Sequence, residues 1–268
     1  MPQEPADPAP EGAMRPQPYR RFAEVYDTMG ADRHSRRMVT YTESIFRRFG
    51  IRPRTGLDLC CGTGSAIAAF CDIGVAMAGL DQSAHMLAVA SRKLRGRKVR
   101  LYQKTLPRFR ILETGLTPKG RRFDFVTCYY DSLNYLPRLS DLKEAFRSVR
   151  RHLYPDGWFI FDLNTPMALK TIWDGQVFAG AQTDLAWVWK NSFDEHSNLA
   201  TCHCVFFVKG RKAWDRFEET HIEYAWDTSL VAQALRQSGF KVKGVYRCFS
   251  FEKVTIKTTR VCFVAQRV

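Results

Sequence analysis

The sequence has 268 residues and a mass of 30.9 kDa, which is enough for one large domain with its own core. Lysine and arginine number 41 against 27 aspartates and glutamates, so the net charge is +14 and the pI is near 9.6. This balance excludes an acidic, solvating protein and raises nucleic acid as a class of partner. The sequence has no run of about 18 apolar residues, which excludes a membrane-spanning helix.

The N-terminal segment and the cysteines bear on the cellular compartment expected for the protein. Residues 1–18 contain six of the twelve prolines and no signal-peptide run, and they are predicted to form a disordered tail. Most of the eight cysteines lie in apolar surroundings, so we expect reduced thiols in a cytoplasmic protein. Cys202-His203-Cys204 has the wrong spacing for a zinc site. We therefore predict no metal and expect these three residues in a strand.

From residue 55 onward, short apolar runs alternate with helical patterns. Strands are predicted at 55–59, 75–80, 99–103, 123–130 and 158–163, and helices at 65–71, 83–94 and 139–153. Ser83 is the expected N-cap of the second of these helices, and Pro155-Asp156-Gly157 is a turn. The alternation predicts an α/β domain with a parallel sheet and helices on both faces.

The pattern changes after residue 165. Three consecutive strands are predicted at 185–193, 199–208 and 214–224, followed by a helix at 229–238 and strands at 242–249 and 260–266. We therefore divide the chain into a tail (1–18), a core (19–165), an antiparallel insertion (166–225) and a C-terminal part that completes the core sheet (226–268). Trp187 and Trp189 share one strand face, and we expect them to pack the insertion onto the core.

A glycine-containing turn joins the first predicted strand to the first predicted helix, in the stretch GLDLCCGTGS from Gly56 to Ser65. Glycines at such a turn let the backbone approach a ligand closely. The spacing fits neither G-x-G-x-x-G nor a P-loop, which disfavours a pyrophosphate ligand. Asp81 ends the second strand, seventeen residues after Gly64, where an acid can accept hydrogen bonds from both hydroxyls of a ribose.

Four stretches in this order, LDLCCGTGSAIAAF, AGLDQSAHMLAVASRKL, FDFVTCYYDSLNYL and LYPDGWFIFDLNTP, resemble the class I S-adenosylmethionine-dependent methyltransferases. The similarity covers roughly residues 20 to 165. Within that family, the chain is similar to small-molecule enzymes such as amino-sugar N,N-dimethyltransferases and glycine N-methyltransferase. The resemblance implies a Rossmann-like seven-stranded sheet with a small three-stranded antiparallel lid, and S-adenosylmethionine as the cofactor.

The resemblance also implies roles for individual residues. Asp58 would start the glycine-loop motif, with Cys60 in place of the usual first glycine, and Gly62 and Gly64 would face the methionine part of the cofactor. Asp81 would hold the ribose, and Gln82 and Met86 would line the adenine. Thr105 stands where the family carries an acid for the adenine amino group, and Leu106 beside it is a further cofactor-binding candidate. Tyr26-Asp27 would close over the cofactor, and Cys128 would lie beside the methionine moiety.

Catalytic candidates lie at the end of the fourth strand and in the third strand of the insertion. Asp131 is the best general-base candidate by position, with helix capping as the alternative, and Tyr129 would lie near the transferred methyl group. His221 and Glu223 could reach the acceptor, or could be ordinary surface residues of a strand.

The position of the charge bears on the acceptor. Residues 1–160 carry a net charge of +11 and residues 161–268 only +3, so the insertion expected to choose the substrate is nearly balanced. This favours a small-molecule acceptor, with an amine as the first choice. An RNA methyltransferase is the alternative enzyme, and a catalytically silent nucleotide-binding or nucleic-acid-binding protein is the alternative of another class. The sequence leaves a homodimer open.

Overall fold

A computed structural model describes residues 19–113, 115–116, 120 and 122–268. The predicted tail at 1–18 therefore lies outside the described residues. The strands are β1 (Thr55–Leu59), β2 (Ala76–Asp81), β3 (Arg100–Gln103), β4 (Phe123–Cys128), β5 (Leu153–Asn164), β6 (Val177–Gln182), β7 (Leu185–Asp194), β8 (Leu199–Lys209), β9 (Trp214–Tyr224), β10 (Phe240–Arg247) and β11 (Arg260–Arg267). The α-helices are α1 (Phe22–Val25), α2 (Ala31–Phe49), α3 (Ser65–Asp72), α4 (Ala84–Lys93), α5 (Leu139–His152) and α6 (Thr228–Gln237).

The core sheet has seven strands in the order β10-β11-β5-β4-β1-β2-β3. Strands β1 to β5 are parallel, while β11 is antiparallel to both β5 and β10. Strand β1 is buried along its whole length, as expected for a parallel strand that is covered on both faces of the sheet. The order reverses between β1 and β4, and ligands of such sheets bind at that reversal, outside the carboxyl ends of the strands. The predicted seven-stranded α/β fold is confirmed.

A second sheet is separate from the core sheet and has four antiparallel strands, β6-β7-β8-β9. The sequence predicted three of them, and the edge strand β6 was missed because it has no apolar alternation and most of it is exposed. Its Gly180 lies under the ring of Trp187, where an added Cβ would come within 2.1 Å of the indole. Trp187 and Trp189 pack against a cluster that contains Phe22 of α1 and Phe206 of β8.

The core elements differ from their predicted bounds in ways that local chemistry explains. Strand β5 starts before the predicted turn, and the register shift opposite Phe123 and Phe125 shows that Pro155-Asp156-Gly157 forms a bulge within the strand. Strand β4 ends at Cys128 because Tyr130 and Asp131 have positive φ angles of 61° and 52°. Ser83 caps α4 as predicted, and its Oγ accepts from the Met86 amide at 3.2 Å. No helix in the described ranges is both long and apolar enough to cross a membrane.

Candidate active site

The glycine turn lies at the carboxyl end of β1, at the reversal of strand order. Gly62 has a φ of 52°, and a Cβ built there would meet nothing closer than Met86 Sδ and Tyr26 Cε1, both at 4.0 Å. The surface at Gly62 is therefore an open cradle between these two side chains. Gly64 has a different role, because a Cβ there would lie 2.9 Å from Leu94 Cδ1. Gly64 lets the start of α3 pack closely against the end of α4.

Asp81 connects the glycine turn to the end of β2. One carboxylate oxygen accepts from the Gly62 amide at 2.9 Å, and the other accepts from the Ser83 amide at 2.8 Å. The residue is only 7% exposed, and burial raises the pKa of its carboxyl group. Each oxygen still has a lone pair available for a further donor. Asp58, in the middle of β1, accepts instead from the Thr127 hydroxyl at 2.7 Å, and burial raises its pKa to about 7.

Tyr26-Asp27 covers the glycine turn from the N-terminal side. Asp27 accepts from the Thr63 hydroxyl at 2.7 Å and forms an ion pair with Lys93 Nζ at 2.7 Å. Lys93 also donates to Thr63 at 3.0 Å, so one carboxylate and one ammonium fix this segment to the turn. The Tyr26 ring meets the Phe22 ring edge-on, with the ring centroids 5.1 Å apart. This contact aligns the segment with α1 and the second sheet.

The remaining predicted cofactor-binding residues are distributed around this turn. Met86 and Cys128 are buried, whereas Gln82 and Thr105 are exposed beyond the ends of β2 and β3. Leu106 packs against the main core cluster. The neighbouring Cys60 thiol and burial raise the Cys128 pKa well above its ordinary value.

Cys60 has a φ of 52°, a conformation that glycine adopts without cost and other residues do not. Replacing Cys60 with glycine is expected to recover about 1 kcal/mol of this strain. Cys60→Ala is the matched control, since it also loses the thiol but keeps a Cβ. The free energy of unfolding from urea titrations should be higher for Cys60→Gly than for Cys60→Ala by about that amount. Equal values would show that the turn carries no strain at this position.

A polar cluster lies beside the turn, between the carboxyl ends of β4 and β5 and the second sheet. Arg260, at the start of β11, forms an ion pair with Asp131 at 2.7 Å and a second, shorter one with Asp162. Glu223 of β9 lies beside Asp131 and accepts from Asn164 Nδ2 at 2.9 Å. Burial and the neighbouring Asp131 carboxylate raise the pKa of Glu223 well above its ordinary value, which favours its protonated form.

The helix-capping interpretation of Asp131 does not fit the structure. Its side chain does not cap the following helical turn, Ser132–Tyr135, and is directed to Arg260 and Glu223. Tyr129 is not part of this cluster. Its hydroxyl pairs with Thr42 Oγ1 of α2 at 2.6 Å, in the core layer on that side of the sheet. The side chains of Tyr129 and Asp131 therefore lie in different parts of the structure, because the chain turns at the positive φ values of Tyr130 and Asp131.

His221 lies in the same cluster, on the face of β9 that it shares with Glu219 and Glu223. Its Nδ1 is 2.8 Å from the Tyr135 hydroxyl, which is itself 2.9 Å from the Tyr19 hydroxyl. Its Nε2 is buried and has no hydrogen-bond partner among the described residues. Burial lowers the pKa of His221 to about 4, so the ring is neutral at pH 7. A buried ring nitrogen without a partner is costly unless a ligand supplies one.

Sequence reasoning missed Asp162, Arg260, Tyr19 and Glu219. Glu219 accepts from the backbone amides of Tyr19, Arg20 and Phe22, so it ties the start of α1 to the second sheet. The one available signal was Asp162, an acid inside the apolar run WFIFDL, because a charge in a buried strand requires a partner.

The neutral state of His221 has a consequence for stability. His221 and His34 both have pKa values lowered to about 4 by burial, against 6.5 for the ordinary side chain. Between these values the unfolded chain binds protons that the folded chain does not, so stability is full above pH 6.5 and falls as the pH drops towards 4. His221→Gln is expected to remove roughly 2 kcal/mol of that loss between pH 6.5 and 4.5. Urea titrations at both pH values measure it, and an unchanged pH dependence in the variant would contradict the assignment.

Comparison with known proteins identifies the family. A family model described as "Methyltransferase domain" matches residues 57–157. The chain is 29% identical over 252 residues to "Putative methyltransferase YqeM" of Bacillus subtilis (strain 168), which covers 93% of this chain and 97% of that protein. The crystal structure of an S-adenosylmethionine-dependent methyltransferase from Clostridium acetobutylicum ATCC 824 superposes with a TM-score of 0.81 at 28% identity, over 93% of this chain and 98% of that one. The matched domain and these relatives show an S-adenosylmethionine-dependent methyltransferase.

A third relative matches a shorter part of this methyltransferase. It is the dTDP-3-amino-3,6-dideoxy-alpha-D-glucopyranose N,N-dimethyltransferase of Streptomyces fradiae, 31% identical over 140 residues, or 51% of this chain and 50% of the relative. The predicted family, enzyme class and cofactor are confirmed.

The geometry of the methyltransferase fits S-adenosylmethionine at the glycine turn. The cradle at Gly62 is open to 4.0 Å, and the buried Asp81 keeps lone pairs available at the end of β2. Next to the cradle, the polar cluster contains His221 Nε2, which lacks a partner. The open cradle and the unpartnered nitrogen are on adjoining parts of one region, as a cofactor and an acceptor require.

Proposed function

We propose that this methyltransferase transfers a methyl group to the nitrogen of a small-molecule amine. The observation that carries the proposal is the polar cluster, in which carboxylates and carboxylic acids outnumber the one guanidinium group of Arg260. An ammonium group is attracted to such a site, whereas a phosphate group placed beside these carboxyl groups is repelled. The name of the Streptomyces fradiae relative describes N-methylation of an amino sugar, which supports the same class of acceptor.

In this proposal the residues at the turn hold the cofactor. Asp81 accepts hydrogen bonds from the ribose hydroxyls, Gly62 leaves room for the methionine part, and Met86 contacts the adenine ring. Tyr26 covers the site from the side opposite Gly62. When bound there, S-adenosylmethionine supplies a methyl group on a sulfonium sulfur, which is open to in-line attack by a nucleophile.

Asp131 and His221 bind the methyl acceptor in this proposal. The Asp131 carboxylate accepts from Arg260 and lies beside Glu223, so in this proposal Asp131 holds the acceptor nitrogen as a hydrogen-bond acceptor and does not serve as the base. His221 is neutral, and its Nε2 has no hydrogen-bond partner among the described residues, so in this proposal Nε2 accepts a hydrogen bond from the N–H of the neutral acceptor amine. The Tyr135 hydroxyl lies 2.8 Å from Nδ1, and the proposal requires it to accept from Nδ1–H, which leaves the ring's lone pair on Nε2.

The second sheet closes the site against water. Glu219 binds three amides at the start of α1, and the Phe22 ring of α1 packs on Phe206 with the ring centroids 4.7 Å apart. A site closed in this way holds the acceptor nitrogen in line with the methyl group and excludes water as a competing nucleophile.

A panel of acceptors tests the proposal against the RNA alternative. The enzyme is incubated with methyl-tritiated S-adenosylmethionine and, separately, nucleotide-linked amino sugars, small amino acids and total tRNA. The proposal expects label in a small amine. Label in tRNA alone would favour the RNA methyltransferase, and it would contradict the proposed function. Absence of transfer to every small amine would also contradict it.

A further inference from the structure

A strongly basic groove lies at the edge of the core sheet opposite the candidate active site. It has a volume of about 600 Å³, and its lining includes six arginines, Arg108, Arg110, Arg122, Arg150, Arg151 and Arg267. A smaller groove of about 360 Å³ adjoins it and shares Arg150 and Arg151. We refer to the larger one as the arginine groove. Because it lies where β4 and β5 begin, the length of β4, about 17 Å, separates it from the strand ends that carry the polar cluster.

The arginines converge on the groove from separate parts of the chain. They come from the segment after β3, the start of β4, the end of α5 and the end of β11. Two are fixed by backbone carbonyls, because Arg150 Nη2 donates to Val268 at 3.1 Å and Arg267 donates to Leu153. Arg150 Nε is buried without a hydrogen-bond partner among the described residues. Guanidinium groups that converge and are held in place suit a compact anion better than a row of arginines spread along the surface would.

The groove has too few carboxylates to neutralise these charges. Glu144 is the one acidic residue in its described lining, and it lies 3.8 Å from Arg108 and 3.6 Å from Arg151. Arg110 and Arg122 have no ion-pair partner among the described residues. Burial and the nearby Arg150 and Arg122 lower the pKa of Arg267, which indicates that the arginines of the groove repel one another. An anion placed between them would relieve this repulsion.

We propose that the arginine groove binds a small oligophosphate, a ligand with two or more adjacent phosphate groups, free or on a nucleotide. Guanidinium groups match phosphate oxygens with paired hydrogen bonds, and the volume is that of a small-ligand site. The described lining offers no exposed aromatic ring for stacking a base, since Phe109 is 4% exposed and stacks on His152. A compact oligophosphate therefore fits better than a single-stranded nucleic acid.

Calorimetry with inorganic tripolyphosphate tests this site. The full chain should bind one tripolyphosphate, and the double variant Arg110→Gln/Arg122→Gln should bind it at least tenfold more weakly. These two arginines have no structural ion pair to lose, so the fold should be retained. The control Arg36→Gln/Arg211→Gln removes the same charge from exposed positions elsewhere and should change the affinity less than twofold. Binding of S-adenosylhomocysteine should be equal in all three proteins, because the groove is separate from the glycine turn.

Two further arms identify the source of the phosphate. ATP that binds as well as tripolyphosphate supports a site that reads the phosphate chain alone. The same titrations with a 20-base-pair RNA duplex test the nucleic-acid alternative. Duplex binding that is tighter than tripolyphosphate binding, and equally weakened in both double variants, would indicate general attraction to the basic surface and overturn the proposal. A wild-type chain that does not bind tripolyphosphate, or variants that lose affinity alike, would overturn it as well.

Discussion

Replacing Asp81 with alanine is expected to weaken binding of S-adenosylhomocysteine at least 100-fold. Asp81 already accepts from the Gly62 and Ser83 amides, and we infer that its remaining lone pairs accept from the ribose hydroxyls. Each hydrogen bond to a charged acceptor is worth about 1.5–3 kcal/mol, so loss of two supports an effect of this size. Isothermal calorimetry measures it directly. The conservative variant Asp81→Asn keeps one acceptor oxygen and should bind with intermediate affinity.

The chain offers a matched control for this substitution at the opposite edge of the sheet. Asp124 at the start of β4 accepts from the backbone amides of Arg54 and Thr55, both at 2.8 Å. Asp124→Ala therefore removes a carboxylate with two similar backbone contacts but lies far from the glycine turn. Thermal denaturation should show comparable losses of stability in the two alanine variants, whereas cofactor affinity should fall in Asp81→Ala alone. Unchanged affinity in Asp81→Ala would contradict the assignment of Asp81.

The substitution Asp131→Asn is expected to lower kcat by at least 100-fold and to change cofactor affinity less than threefold. The Asp131 carboxylate is the charged group in the cluster that we assign to the acceptor nitrogen, and its replacement also leaves Arg260 with Asp162 as its one remaining ion-pair partner in the described chain. A loss of electrostatic stabilisation of this kind costs about 2.7–4 kcal/mol in comparable sites. Steady-state kinetics and calorimetry on the same preparation separate the two effects.

Glu223→Gln is the informative partner of that variant. The raised pKa favours the protonated form of Glu223, and the glutamine amide imitates that form, since it is neutral, has the same shape and can donate to Asp131. We expect kcat to stay within threefold of the wild-type value. If Glu223→Gln lost as much activity as Asp131→Asn, then Glu223 would act in its ionised form. If neither variant lost activity, the polar cluster would not be the acceptor site.

The cofactor side of the site could be predicted from the sequence because its residues are close together in the chain. The glycine turn, Asp81 and Ser83 lie within one strand-helix-strand unit, where a short spacing fixes the geometry. The succession of strands and helices along the core could be predicted for a similar reason, since each short apolar run alternates with a helical pattern. Strand β6 was missed because an exposed edge strand has no buried face to impose an alternation.

The acceptor side could be predicted only in part. Asp131, His221 and Glu223 were identified as candidates, but the group that organises them, Arg260, is 129 residues from Asp131. No local pattern links such residues, because the antiparallel pairing of β11 with β5 brings Arg260 opposite Asn164. The raised pKa of Glu223 and the unpartnered Nε2 of His221 depend on burial by a separate sheet, and no single position of the sequence indicates that burial.

The position of the transferred methyl group tests the central claim most directly. The substrate is a nucleotide-linked amino sugar, a single molecule that carries both a primary amine and free hydroxyls. The donor is S-adenosylmethionine with a deuterated methyl group. Tandem mass spectrometry of the product shows which atom carries the label. The proposed amine-directed site predicts label on the nitrogen, in one or two copies. Label on a hydroxyl oxygen, or no label on this acceptor while RNA is methylated under the same conditions, would contradict it.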